Sequence, residues 1–131
     1  MNHKLDTLKK ESDERGVALI RLEAGEVWEK RGDYPRAAES FGAGVDVLRR
    51  LGDKHGLARG LNRLGNVRFH GNDTEGALRH YEEALSVAIE IDDLQGTALL
   101  QANLGNVHLT RGDLERALSS YEEALSRFDE I

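Results

Sequence analysis

Four polar residues near the middle of the sequence have the chemistry of polypeptide recognition. They are two arginines and two asparagines, Arg59, Asn62, Arg63 and Asn66: the second and third lie three and four residues after the first, and the last lies four and three residues after these two. On a helix this spacing places them on one face. An asparagine side chain offers a donor and an acceptor together, which matches a peptide amide. An arginine can bind a carboxylate through two parallel hydrogen bonds.

The sequence offers little for catalysis or metal binding. The five histidines include no helical i, i+4 pair and no HExxH motif, so we expect no metal site and no cofactor. The chain has no cysteine, which excludes a disulfide, a thiolate zinc site and a cysteine nucleophile. It also contains no nucleophile elbow and no glycine-rich phosphate loop. We therefore predict that the protein is not an enzyme.

The charge balance and the hydropathy of the sequence limit the classes of partner and the cellular compartment that we expect. The 24 acidic residues outnumber the 18 basic ones, for a net charge of −6. This balance argues against binding to the phosphates of nucleic acid. No apolar run is long enough to cross a membrane, and the N-terminal residues lack the apolar core of a signal peptide. We expect a cytoplasmic protein whose partner is a protein or peptide, with no nucleic-acid or membrane partner.

An internal repeat of 40 residues governs the architecture. Shifting the sequence by 40 aligns glycines, alanines and aromatic residues without a gap. Residues 56–91 and 96–131 are identical at 18 of 36 positions. The aligned aromatic residues are Phe41, Tyr81 and Tyr121, and the aligned glycines include Gly25, Gly65 and Gly105.

Each repeat has the pattern of a helix hairpin. In the third copy Leu100, Leu104 and Val107 recur at the spacing of one helical face. Asp113 follows a short interruption and is a natural N-cap for a second, amphipathic helix. The glycine at a fixed point of each first helix would let two helix axes approach closely, since it carries no side chain.

These residues resemble the tetratricopeptide signature. The second copy has Leu64, Gly65, Asn66, Ala77, Tyr81 and Ala84, and the third has Leu104, Gly105, Asn106, Ala117, Tyr121 and Ala124. The period of 40 residues exceeds the 34 usual for that family. The resemblance implies an all-α, right-handed superhelical solenoid of antiparallel helix hairpins. We expect one domain, 1–131, made of a partial leading helix and loop (1–15) and repeats at 16–55, 56–95 and 96–131.

The resemblance also implies a concave groove, lined by the first helix of each hairpin, that holds a peptide of a partner. The groove candidates, transferred by position, are Glu23, Glu26 and Lys30 in the first repeat, Arg59, Asn62, Arg63, Asn66 and His70 in the second, and Asn103, Asn106 and Thr110 in the third. These charges favour a mixed ligand, basic toward the first repeat and acidic toward the second. The alternative is that Asn66 and Asn106 bond between helices and the arginines are merely solvated.

The last helix pattern leaves an apolar edge without a following repeat. Its candidate residues for self-association are Leu118, Leu125 and Phe128. Solenoids usually need polar terminal caps for solubility. Two alternatives to a simple scaffold follow: a self-assembling module that forms a homo-oligomer through its terminal edges, or a regulatory segment of a larger signalling or transcription regulator.

Overall fold

The structure, a computed structural model, describes residues 3–131 and consists of six α-helices in that range. They are α1 (His3–Lys30), α2 (Tyr34–Leu51), α3 (Lys54–His70), α4 (Thr74–Glu90), α5 (Leu94–Thr110) and α6 (Leu114–Glu130). Successive helices pack as the antiparallel hairpins α1/α2, α3/α4 and α5/α6, and α2 packs on α3 as α4 packs on α5. The prediction of an all-α solenoid of helix hairpins is confirmed.

The helices are separated by short connections with one recurrent design. An aspartate N-caps each helix from α2 to α6, and its Oδ1 accepts a hydrogen bond from the backbone N–H three residues later, at 2.8 to 3.2 Å. The residue before each cap has a positive φ, between 55° and 81°. The caps are Asp33, Asp53, Asp73, Asp93 and Asp113, and the preceding residues are Gly32, Gly52, Asn72, Asp92 and Gly112. The predicted cap at Asp113 is therefore confirmed.

Within each hairpin the aromatic residue of the second helix lies on the glycine of the first. A Cβ atom placed on Gly65 would lie 2.4 Å from the Tyr81 ring, and the same construction at Gly105 gives 2.6 Å to Tyr121. No side chain fits at these distances, so the glycines permit the close helix packing that their spacing predicts. Phe41 occupies the equivalent place against Gly25 and is fully buried.

The loop predicted at the end of the leading segment 1–15 does not form in the described residues. The expected loop before residue 16 is helical, because α1 runs without interruption from His3 to Lys30. Residues 1 and 2 of the predicted 1–15 segment lie outside the described residues. The physical reason lies at Ser12, which holds the repeat position of Gly52 and Asp92 but is a residue that rarely adopts a left-handed conformation. Asp13 consequently lies within a helix and caps nothing.

Between residues 3 and 131, none of the helices combines the length with the apolarity that crossing a bilayer requires.

Candidate functional site

The first helices of the three hairpins lie side by side and present paired polar side chains. Between α1 and α3, Arg59 Nη2 lies 2.5 Å from Glu23 Oε1, and Arg63 is paired with Glu26. One turn further along α1, Glu29 Oε2 lies 3.0 Å from His70 Nδ1. Between α3 and α5, Asn103 Nδ2 donates to Asn62 Oδ1 at 3.0 Å. We call these four cross-helix pairs the polar ladder.

The polar ladder brings predicted groove residues of all three repeats together, but as mutual partners. Glu23 and Glu26 of the first repeat neutralise Arg59 and Arg63 of the second. The acidic members lie on α1 and the arginines on α3, and each arginine is paired with a glutamate across the two helices. Both arginines keep a substantial exposed fraction, 46% for Arg59 and 33% for Arg63, so solvent and a ligand can reach them.

Two clefts border the polar ladder. The larger, of about 580 Å³, lies between α1 and α3. A smaller one of about 130 Å³ lies between α3 and α5 and is lined in part by Arg59, Asn62 and Leu99. The lining of the larger cleft combines carboxylates, two cations, an amide, a phenol and an imidazole: Glu26, Glu29, Lys30, Tyr34, Arg63, Asn66 and His70. These groups offer donors and acceptors to a polar backbone or side chain laid across the helices.

The two asparagines of the repeat signature have a structural role. Tyr81 donates its hydroxyl proton to Asn66 Oδ1 at 2.5 Å, and Tyr121 does the same to Asn106 Oδ1 at 2.6 Å. Each bond joins the two helices of one hairpin, as the alternative interpretation of these asparagines expects. Burial, together with the charge of Glu29, raises the pKa of the Tyr81 hydroxyl, which remains a donor at neutral pH. Asn66 also lines the larger cleft, whereas Asn106 is exposed.

The last groove candidate of the third repeat, Thr110, is not part of the polar ladder. It is exposed at the last position of α5. Deeper in the same helix, buried Gln101 donates from Nε2 to Glu123 Oε2 at 3.1 Å. The third repeat thus contributes one pair, Asn62–Asn103, to the ladder.

Sequence reasoning missed Glu29 and Tyr34. Glu29 follows Glu26 by three residues on the same face of α1, a spacing that could have indicated its place in the ladder. Tyr34 begins α2, and its ring centroid lies 6.3 Å from that of His70. The sequence carries no local signal for this contact, because it depends on how the first hairpin packs against α3.

An exposed apolar face lies on each of the outermost helices, α1 and α6. Leu118, Leu125 and Phe128, which we call the α6 outer face, are 44–66% exposed. At the other end, the α1 outer face was not predicted; it comprises Val17, Ile20 and Val27, which are 52–68% exposed. The residues at the same repeat positions in α3 and α5 are buried: Leu57, Gly60 and Val67, and Thr97, Leu100 and Val107.

Within residues 3–131 the structure places no three histidine or acidic side chains where they could hold a metal ion.

Comparison with known proteins identifies the repeat. A family model described as tetratricopeptide repeat matches residues 16–90 and 57–130. A search of curated protein sequences gives no significant match.

Solved structures share the fold at low sequence identity. The TPR domain of Arabidopsis FLU superposes with a TM-score of 0.83 at 15% identity, covering 90% of this chain and 99% of that one. BtubC (BKLC) from P. vanneervenii gives 0.83 at 21% identity, over 87% of this chain and 47% of that one. The N-terminal domain of stress-induced protein-1 (STI-1) from C. elegans gives 0.76 at 20% identity, over 88% and 87%.

Proposed function

Because the chain belongs to the tetratricopeptide repeat family, whose members are protein-interaction modules, we propose that it is a noncatalytic scaffold that binds a peptide or helical segment of a partner protein. The binding surface is the face of α1, α3 and α5 that carries the polar ladder. The observation that supports this proposal is the combination of solvent-accessible ladder residues, Arg59 and Arg63 among them, with a cleft of about 580 Å³ beside the ladder.

A side chain of a ladder pair can exchange its partner for a charged group of a ligand. An exposed ion pair stabilises a fold by only about 0–1 kcal/mol, because solvent screens it. A peptide carboxylate can therefore replace Glu23 at Arg59, and a peptide cation can take the released glutamate, at little cost to the fold. This exchange favours a ligand that carries both signs of charge over a uniformly acidic or basic one.

The charge distribution supports a protein partner over nucleic acid. The net charge is −6, and both ladder arginines already face a glutamate. Contact with a phosphate backbone would require a surplus of cations on this face.

The test is peptide selection followed by charge reversal. A phage-displayed random peptide library is selected on the chain, and the selected peptide is measured by fluorescence anisotropy. Arg59→Glu with Arg63→Glu should weaken binding about tenfold or more, equivalent to at least about 1.4 kcal/mol. The matched control is Arg49→Glu with Arg79→Glu, which makes the same charge change on the second helices and also breaks an ion pair, Arg49–Glu83. Unchanged binding by the Arg59/Arg63 variant would refute the groove assignment.

We also propose self-association as a second function, favoured by the exposure of the α6 outer face. Light scattering coupled to size exclusion, over a hundredfold dilution series, should show a mass that rises with concentration. Leu125→Gln with Phe128→Gln should lower that mass to the monomer. A monomer at every concentration of the unaltered chain would exclude this function.

A further inference from the structure

We propose that the α6 outer face of one copy docks on the α1 outer face of a second copy, so that the chains stack head to tail and continue the 40-residue repeat. This inference rests on the self-association proposed above and names the surface that receives the α6 edge. Such an interface is heterologous: its two surfaces differ, and repetition builds rings or open filaments.

The internal junctions show how two successive repeats fit. At the α2/α3 junction, a Cβ atom on Gly60 would lie 2.6 Å from Val45 Cγ2, and one on Gly56 would lie 3.0 Å from Leu48 Cδ2. At this junction α2 therefore packs two aliphatic side chains, Val45 and Leu48, onto two glycine positions of α3.

The outer faces carry the same positions without a neighbour. Leu125 and Phe128 hold the repeat positions of Val45 and Leu48, while Ile20 and Gly16 hold those of Gly60 and Gly56. A Cβ atom on Gly16 would meet no atom within 4 Å, so the space that Leu48 fills beside Gly56 is open there. In a head-to-tail stack Phe128 of one copy fills this space beside Gly16 of the next.

The larger residue at position 20 is compatible with this docking. The third repeat holds Leu100 at that position, and it is buried at a junction where Leu85, the counterpart of Leu125, packs against the same core. A branched aliphatic residue at this position is therefore already accommodated at one internal junction, in a core that also includes the leucine. In the proposed stack Ile20 and Leu125 take these two positions.

The chain's own leading segment leaves the α1 outer face uncovered. Residues that align in sequence with the end of a second helix continue along α1 instead of folding back across it. Val17, Ile20 and Val27 remain more than half exposed as a result. The site that a preceding second helix would occupy is thus open to α6 of another copy.

Two blocking variants test the geometry. Val17→Glu with Ile20→Glu blocks the α1 outer face, and Leu125→Glu with Phe128→Glu blocks the α6 outer face. Each variant alone should be a monomer by light scattering, whereas an equimolar mixture should form a heterodimer of twice the monomer mass, since each partner supplies one intact face. Circular dichroism of each variant should match the unaltered chain, because all four positions are largely exposed. If a glutamate variant loses helicity, the corresponding glutamine variant replaces it.

The outcomes separate this inference from the proposal beneath it. A mixture that stays monomeric overturns the head-to-tail geometry. If the α1-blocked variant still self-associates and the α6-blocked variant does not, the α6 faces pair with each other; self-association then stands, and the head-to-tail arrangement fails. If the unaltered chain is a monomer at all concentrations, self-association and the head-to-tail arrangement are both excluded.

A disulfide provides an independent test of register, since the chain has no native cysteine. Gly16→Cys combined with Phe128→Cys should give a ladder of covalent multimers on mild oxidation. Each variant with only one of the two cysteines should run as a monomer on a denaturing gel. A covalent dimer from Phe128→Cys alone would overturn the proposed register.

Discussion

Tyr81 bonds to Asn66 across the second hairpin, with 2.5 Å between the phenol oxygen and the amide oxygen. The third hairpin repeats the bond with Tyr121 and Asn106. The first hairpin cannot form it, because Phe41 has no hydroxyl and Glu26 replaces the asparagine. Glu26 pairs instead with Arg63 of the next first helix. These two differences between the repeats replace a bond within a hairpin by a bond between hairpins.

Tyr81→Phe should lower the free energy of unfolding by about 1–2 kcal/mol, since it removes a hydrogen bond at a buried phenol and leaves the Asn66 oxygen without its partner. Urea denaturation measures the change. Tyr121→Phe is the control: it removes the same bond at a more exposed site, so its effect should be smaller. Equal effects at both sites would contradict the role assigned to burial.

Gly65→Ala should destabilise the fold by about 1–3 kcal/mol, because the new methyl group would overlap the Tyr81 ring. Gly42→Ala is the matched substitution within a helix where a Cβ atom meets nothing within 4 Å. It should stabilise the protein by about 0.5–1 kcal/mol through helix propensity. Thermal and urea unfolding of the two variants should therefore shift in opposite directions, and a shared direction would argue against the glycine–aromatic packing.

Asp73→Ala should cost about 1 kcal/mol, because it removes the side-chain acceptor of the Gly76 N–H at the start of α4. Asp13 has the same place in the 40-residue repeat as the caps Asp53 and Asp93 but lies inside α1. Asp13→Ala should leave the unfolding free energy almost unchanged. A cost at Asp13 similar to that at Asp73 would show that α1 is broken there.

His80 should make stability depend on pH. Burial, aided by the charges of Arg68 and Arg79, lowers the pKa of its imidazole from 6.5 in the folded state. The unfolded chain then binds more protons than the folded chain as the pH falls through about 6.5, so the free energy of unfolding decreases on acidification. Urea denaturation between pH 7.5 and 5.5 should show this decrease, and His80→Gln should reduce it. An identical slope in His80→Gln would exclude His80 as its source.

The helix hairpins could be predicted from the sequence because the 40-residue period repeats the same helical pattern. The cap at Asp113 could be predicted because an aspartate N-cap acts on the residues next to it. The sequence was insufficient at Ser12, where the repeat pattern predicts a connection but the side chain does not favour the left-handed backbone that the connection needs.

The candidate site was predicted as a set of residues but not as a set of pairs. Arg59 meets Glu23 at a separation of 36 residues, whereas His70 meets Glu29 at 41. These separations lie on either side of the repeat length of 40, so the repeat alone does not predict which residues pair. The pairing depends on how α3 packs against the first hairpin, as at the close approach of Val45 to Gly60, and no local pattern encodes it.

The sparse burial of α6 makes this helix open more readily than α3. Only Ala117 and Ala124 of this helix are buried, whereas α3 buries seven residues. Local opening requires least free energy where the fewest apolar contacts are lost. The amide hydrogens of α6 should therefore exchange with solvent sooner than those of α3. A second copy docked on α6 would slow that exchange. The exchange rate of the α6 amides therefore measures how much of the α6 outer face is covered.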